Sequence, residues 1–399
     1  MRHVLLAITV FLLAACAVGP DYEKPDIETP ETWRFSDAEA SEVINTRWWT
    51  QFEDPVLDQL IDEALTANLD VRTAAARVEQ FAARLNITRS DFYPQIGYGA
   101  AGDRQGISSN NADGLGIDAI TTNYQATINV GWELDVWGRI RRASESARAQ
   151  LLAAEEARRT VILSLVSTVA TSYVGLRSLD RQLEIAIDTR ESRAESLRLF
   201  TLQYGGGVIG QLQLSQIKSE YELAVSAIPT IERDIAMMEN LINVLLGQNP
   251  GPVPRGKNID ELTLAQVPNG VPSDLLLRRP DIRQAEQDLI ANNAQIGVAR
   301  AAYFPRISLT GIAGLVSGDL SSWFDSDAAT WAVGGALSGE IFTGGRLSGG
   351  VQQAEALQQQ SLFAYKQAIL VGLQEVEDAL ISTQKAREKL VSDGRRVEA

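Results

Sequence analysis

Asn123-Tyr124-Gln125-Ala126-Thr127-Ile128-Asn129-Val130-Gly131-Trp132-Glu133-Leu134-Asp135-Val136-Trp137 alternates for its whole length. Successive side chains of a strand point to opposite faces. Tyr124, Ala126, Ile128, Val130, Trp132, Leu134 and Val136 therefore share one wholly apolar face, and Asn123, Gln125, Thr127, Asn129, Glu133 and Asp135 share the other. Three weaker segments keep the same period. Residues 95–103 place Ile96, Tyr98 and Ala100 on the apolar face, residues 306–315 place Ile307, Leu309 and Ala313, and residues 330–342 place Trp331, Val333, Leu337 and Ile341. Loops rich in Gly, Asn and Ser at 105–118 and 317–327 join the four segments into two hairpins.

Strands of about 9–13 residues suit tilted passages across a membrane, and Trp and Tyr near strand ends suit its interfacial girdles. A soluble half-buried sheet would show the same alternation. The membrane reading gains from position, because both hairpins interrupt long helices at the same point in each half of the chain. In hydrocarbon an open sheet edge leaves backbone groups unpaired, so the sheet must close. Single-chain barrels begin at about eight strands. Four strands must therefore be completed by further copies, and three copies would give twelve.

The two halves of the chain nearly repeat. Asn68-Leu69-Asp70-Val71-Arg72 leads to Phe92-Tyr93-Pro94, and Arg279-Pro280-Asp281-Ile282-Arg283 leads to Tyr303-Phe304-Pro305, with 211 residues between Pro94 and Pro305. Glu133-Leu134 through Gly138-Arg139 returns as Glu340-Ile341 through Gly345-Arg346, with 207 residues between Arg139 and Arg346. Each copy reads as helix, hairpin, very long helix, which is a tandem duplication. The expected organisation is a leader over 1–15, an extended segment over 16–56, repeat 1 over 57–246, a linker over 247–272 and repeat 2 over 273–399. Pro94 and Pro305 mark the changes from helix to strand.

Residues 139–204 contain no proline and one internal glycine, Gly175, so a continuous helix there would reach on the order of 100 Å. Residues 211–246 return with Ile217, Tyr221, Ala224, Ile228, Ile231, Ile235, Met238, Ile242 and Leu245 at alternating spacings of four and three, a coiled-coil seam. Pro229 is expected to interrupt that helix. Between them lie Tyr204, Gly205, Gly206, Gly207, Val208 and Ile209. No strand precedes the glycines and no Lys-Ser/Thr follows, so a hairpin turn is expected rather than a phosphate cradle. Helices enter and leave each β-hairpin, which puts all of them on one side of the membrane.

Met1-Arg2-His3 is a basic start, and residues 4–13 are an apolar run too short to span a bilayer. The run ends in Leu13-Ala14-Ala15-Cys16, which resembles a bacterial lipobox with acylation of Cys16; an ordinary Ala-x-Ala signal peptide is the alternative. Two or more acyl chains make a stable anchor. Cys16 is the chain's one cysteine and His3 its one histidine. The mature chain therefore offers no His-based zinc site, no Ser-His or Cys-His pair and no disulfide. No cofactor is expected beyond the covalent lipid on Cys16, and no enzyme activity. The net charge of −15 makes nucleic acid an unsuitable partner and predicts a lumen that prefers cations.

Together these residues resemble the TolC-like outer membrane factors, specifically the lipoprotein branch. The resemblance is carried by Cys16-Ala17-Val18-Gly19-Pro20-Asp21-Tyr22, Trp48-Trp49 with Phe52 and Asp54-Pro55, Glu133-Leu134-Asp135 with Trp137-Gly138-Arg139, and Leu276 with Arg278-Arg279-Pro280-Asp281-Ile282. It implies a mixed α and β membrane protein: a homotrimer whose twelve-stranded barrel in outer membrane lipid continues into a periplasmic coiled-coil barrel. It also implies an exit duct for drugs or other small toxic compounds, served by a periplasmic adaptor (membrane fusion) protein and an inner-membrane RND-type transporter. Residues 204–209 match the tip that meets the adaptor. Relatives commonly carry an aspartate just past the turn where this chain has Gln213, which weakens the case for a carboxylate ring there. The duplication predicts a second helical hairpin closing near residue 453, about 54 residues beyond Ala399, so the sequence reads as C-terminally incomplete. A type I secretion duct and a non-conducting lipid-anchored scaffold are the alternative functions.

Overall fold

The computed structural model describes residues 17–27, 30, 32–34, 47–106, 108, 120–263 and 278–398. The expected leader, Cys16 and the last part of the linker, residues 264–272, lie outside the described residues. A single 3-10 turn, Trp48–Phe52, precedes helices α1 (Pro55–Ala67) and α2 (Leu69–Ser90). Strands β1 (Gln95–Gly106) and β2 (Ile120–Leu134) follow, then α3 (Arg139–Gly205) and α4 (Gln211–Leu245). The second copy supplies α5 (Pro280–Ala301), β3 (Arg306–Ser317), β4 (Ala329–Ser338) and α6 (Arg346–Glu398).

The chain divides into two compact units, and each draws on both repeats. The first comprises residues 1–28, 78–154 and 281–372 and contains the sheet. All four strands join in the order β1-β2-β3-β4, antiparallel throughout. The hairpins are therefore fused by a β2–β3 ladder running from Tyr124–Ser317 to Leu134–Ile307. Gln95, Leu134, Arg306 and Ser338, the residues next to the helices, lie at one end of the sheet, and both hairpin loops leave from the other.

Two strand ends differ from the sequence pattern for identifiable reasons. β2 stops at Leu134 although its period persists to Val136, because the Asp135 carboxylate leaves the ladder to accept from the N–H groups of Ile140 (2.9 Å) and Arg141 (2.9 Å). β4 stops at Ser338, which pairs with Arg306; beyond Arg306 lies Pro305, which has no N–H to continue the ladder. The expected interruption at Pro229 is also corrected, since α4 continues through it as one helix. Pro229 itself is exposed, and the seam residues Ile228 and Ile231 on either side are half-buried.

The second unit comprises residues 29–77, 155–280 and 373–399. Its core sets Leu57, Leu60 and Ile61 of α1 against Val169, Tyr173 and Leu176 of α3 and Ile242 of α4, all essentially buried. Each such side chain contributes about 1.5–3 kcal/mol. At its edge Asp54 is 1 % exposed. Its carboxylate caps α1 through Val56 N–H (2.9 Å) and accepts from Lys257 N–H (3.0 Å) and the Tyr173 hydroxyl (2.7 Å). That hydroxyl in turn accepts from Gly256 N–H (2.9 Å). Arg255 adds ion pairs to Glu239 (2.6 Å) and Asp180 (3.0 Å), which pin the segment after α4 to α3 and α4.

Because a buried donor left without an acceptor costs about 1–3 kcal/mol, Asp54→Ala should lower stability by about 3 kcal/mol or more, and Tyr173→Phe by about 1 kcal/mol. Thermal unfolding of the detergent-solubilised protein reads both. A Tyr173→Phe loss equal to or larger than that of Asp54→Ala would contradict the central place given to the carboxylate.

Candidate functional site

Residues paired directly across an antiparallel ladder share a face. Following the register from strand to strand therefore sorts the whole sheet. Ile96, Tyr98 and Ala100 pair with Val130, Ile128 and Ala126. These continue to Gly311, Ala313 and Leu315, and from there to Val333, Trp331 and Ala329. Trp132 and Leu134 meet Leu309 and Ile307, and Ile307 meets Leu337. One face of all four strands is thus apolar from the helical end up to Arg104, Thr122 and Ser317 near the loops, and it stands open: Tyr98 is 92 % exposed, Trp331 76 % and Val333 78 %.

The other face carries Gln95, Gly97, Thr127, Asn129, Thr310, Ala332 and Ser338, small or polar nearly throughout. Among its described charges Glu133 is paired with Arg139 (2.8 Å), leaving Asp103 toward the loops and Arg306 at the helical end. Among the described residues this face thus carries one charge of each sign outside that pair.

The helical end of the sheet is bolted. The Trp137 indole N–H donates to the Pro305 carbonyl (2.8 Å) and its ring stacks on Phe304 at 4.7 Å. The Trp132 indole N–H donates to the Phe92 carbonyl (3.0 Å). Glu133 grips Arg139 with both carboxylate oxygens, and these hydrogen bonds hold the guanidinium's pKa above its ordinary value despite partial burial. None of these tryptophan contacts was read from the sequence. Indole donors two residues before and three residues after the end of β2 were the available signal.

The lipidation residue, Cys16, lies outside the described residues, but the chain immediately after it is fixed at this same junction. Val18 N–H donates to the Trp137 carbonyl (3.0 Å), and the Pro20 carbonyl accepts from Asn293 on α5 (3.2 Å). Arg142, 7 % exposed in its side chain, reaches the Asp21 carboxylate (2.6 Å) and the Gly19 carbonyl (3.3 Å). Burial disfavours its cation, but Asp21 and Glu145 outweigh that and raise its pKa. Tyr22 and Lys24 both contact Glu286 at 3.3 Å. Burial first, and then the Glu286 charge, push the Tyr22 hydroxyl pKa up, so it stays a neutral donor.

The other sequence-derived site is the turn. Tyr204 and Gly205 end α3, and Gly207 takes a left-handed φ of 72° that suits glycine. Gly206, Gly207 and Val208 N–H groups donate back to Leu202, Tyr204 and Gln203 carbonyls at 2.9–3.0 Å. Gln213 Oε1 accepts from Gly210 N–H (2.9 Å), so it caps α4. Val208 and Leu212 project, 76 % and 73 % exposed.

A family model described as outer membrane efflux protein matches residues 60–248 and 271–392. The chain belongs to the outer membrane efflux protein family. It is 34 % identical over 393 residues to the probable efflux pump outer membrane protein TtgC of Pseudomonas putida, covering 96 % of this chain and 81 % of TtgC. It is 35 % identical over 389 residues to the cation efflux system protein CusC of Escherichia coli, covering 96 % and 84 %. The solved structure of the outer-membrane channel OprN superimposes with a TM-score of 0.87 at 31 % identity, covering 96 % of this chain and 86 % of OprN. This family member is an outer-membrane exit duct of an efflux system, extending into the periplasm, and a channel rather than an enzyme.

The two faces of the sheet make opposite demands. Ile128→Lys, mid-sheet on the apolar face, should lose folded protein from the outer membrane, since a lysine at the bilayer midplane costs about 2–4 kcal/mol. Thr127→Lys, one residue away on the polar face, should leave the folded amount near wild type. Heat-modifiability of membrane fractions on gels reads both, and equal tolerance of the two lysines would contradict the assignment of faces.

Proposed function

We propose that three copies close the sheet into a twelve-stranded barrel, with β4 of each copy pairing with β1 of the next, and that cargo leaves along the polar face. The observation that carries this is the open apolar face bounded by two unpaired strand edges, β1 and β4. In lipid the face is matched, and the edges are tolerated only once closed. The helices then form a periplasmic coiled-coil barrel. The alternative of a soluble scaffold would leave that face in water. The type I secretion duct has less support, because the relatives are named as efflux pump proteins.

In the same reading Cys16 carries the lipid. The fixing of residues 17–24 at the junction supports it, since it holds the acylated residue's neighbour at the end of the sheet where lipid meets periplasm. The turn at Tyr204, Gly205, Gly206, Gly207, Val208 and Ile209 meets a periplasmic adaptor, offering projecting Val208 and a chain of small residues. An RND-type inner-membrane transporter supplies the energy. The cargo class is drugs or other small toxic compounds, in keeping with relatives named for toluene and antibiotic efflux.

Two measurements test this. Intact mass of the protein from outer membranes should show a chain starting at Cys16 with three acyl chains, and Cys16→Ala should abolish that mass; an unlipidated wild type overturns the anchor. Gly206→Asp should raise drug susceptibility of the host while leaving single-channel conductance in planar bilayers unchanged. Wild-type susceptibility in Gly206→Asp would remove the adaptor role from the turn.

A further inference from the structure

The two repeats end their hairpins differently, and the difference falls where the proposed barrel has its two kinds of seam. The equivalence of the ends is secured by structure as well as spacing. Glu133 pairs with Arg139 and Glu340 with Arg346, and the glycines before the two arginines, Gly138 and Gly345, both take left-handed φ, 79° and 90°. By the same offset of 207 residues, Asp135 corresponds to Phe342, Trp137 to Gly344 and Trp132 to Gly339.

Each replacement removes a fastening. Asp135 accepts from two N–H groups at the start of α3, whereas Phe342 has no acceptor to offer the start of α6. Trp137 holds Phe304 and Pro305, the first residues of the second hairpin, whereas Gly344 has no side chain. Only the ion pair is kept in both copies. Among the described residues nothing equivalent to the strap of residues 17–24 holds the second junction: Val18 binds at Trp137. The stretch before α6 also carries two consecutive left-handed glycines, Gly344 and Gly345.

In a barrel of three copies the first junction joins the repeats of one chain. The second abuts Tyr93 and Pro94 of the next copy, the counterparts of Phe304 and Pro305. We infer that the β-to-α junction is rigid within each chain and adjustable between chains, with Trp137 as the positioning residue that makes the difference. Reorientation of the helical wall relative to the barrel then takes place at three chain boundaries rather than at six equivalent hinges. The inference rests on the three-copy reading above.

Amide hydrogen exchange of the full-length channel in lipid nanodiscs tests it, with native mass spectrometry of the same particles. Residues 339–346 should exchange at least about tenfold faster than residues 133–139, as expected when one of two like segments opens locally at lower cost. Trp137→Gly should raise exchange at 133–139 toward the level of 339–346 while the particle stays a trimer. A trimer in which both junctions exchange alike, or in which Trp137→Gly changes nothing, overturns the inference and leaves the three-copy reading standing. A particle that is not a trimer overturns the three-copy reading itself, and the inference with it.

Discussion

A backbone N–H or C=O group in hydrocarbon must find its partner in protein, and each failure costs several kcal/mol. The rest of the molecule follows from that constraint. It explains why an apolar face is spread over all four strands, why the strands of both repeats are fused through the β2–β3 ladder, and why the proposed assembly must close the two remaining edges. It also explains the polar face. In the proposed barrel the side away from lipid is a wall around water, and Asn129, Thr127 and Thr310 belong there for the same reason that Ile128, Val130 and Trp331 do not.

The second requirement is mechanical. Every strand must hand over to a helix at the membrane boundary without leaving helix N–H groups unmet. The first repeat solves this with Asp135, Gly138 and the Glu133–Arg139 pair, and ties the result to its neighbour through Trp137. Farther along, Asp54 and Tyr173 do comparable work in the second unit, where one carboxylate accepts from three donors and so fixes the start of α1 against α3 and the segment after α4. Polar groups in this protein set the ends of elements, and apolar groups set their faces.

Much of this was legible in the sequence because it is periodic. The face of β2 and the seam of α4 each recur often enough to be read without a structure, and both are where they were expected. What was not legible depends on single contacts. β1 continues three residues past Asp103 because the backbones of Thr122, Thr121 and Ile120 are there to pair with it, whatever the side chains. The period of β2 overruns its true end because Asp135 is claimed by a helix cap. Pro229 promised a break, but the packed seam on both sides carries the helix across an exposed proline. The β2–β3 pairing joins segments far apart in sequence, and no local pattern records it.

The most direct test uses the scarcity of cysteine. With Cys16 the chain's one cysteine, a single cysteine introduced at each position from 123 to 133 is a clean reporter in native outer membranes. A spin label at each site would be read against oxygen, which concentrates in lipid, and a charged nickel chelate, which stays in water. The account predicts strict alternation: labels at 124, 126, 128 and 130 respond to oxygen, and those at 123, 125, 127 and 129 respond to nickel. Nickel access at both sets would mean a sheet standing in water, and would contradict the channel wall described above.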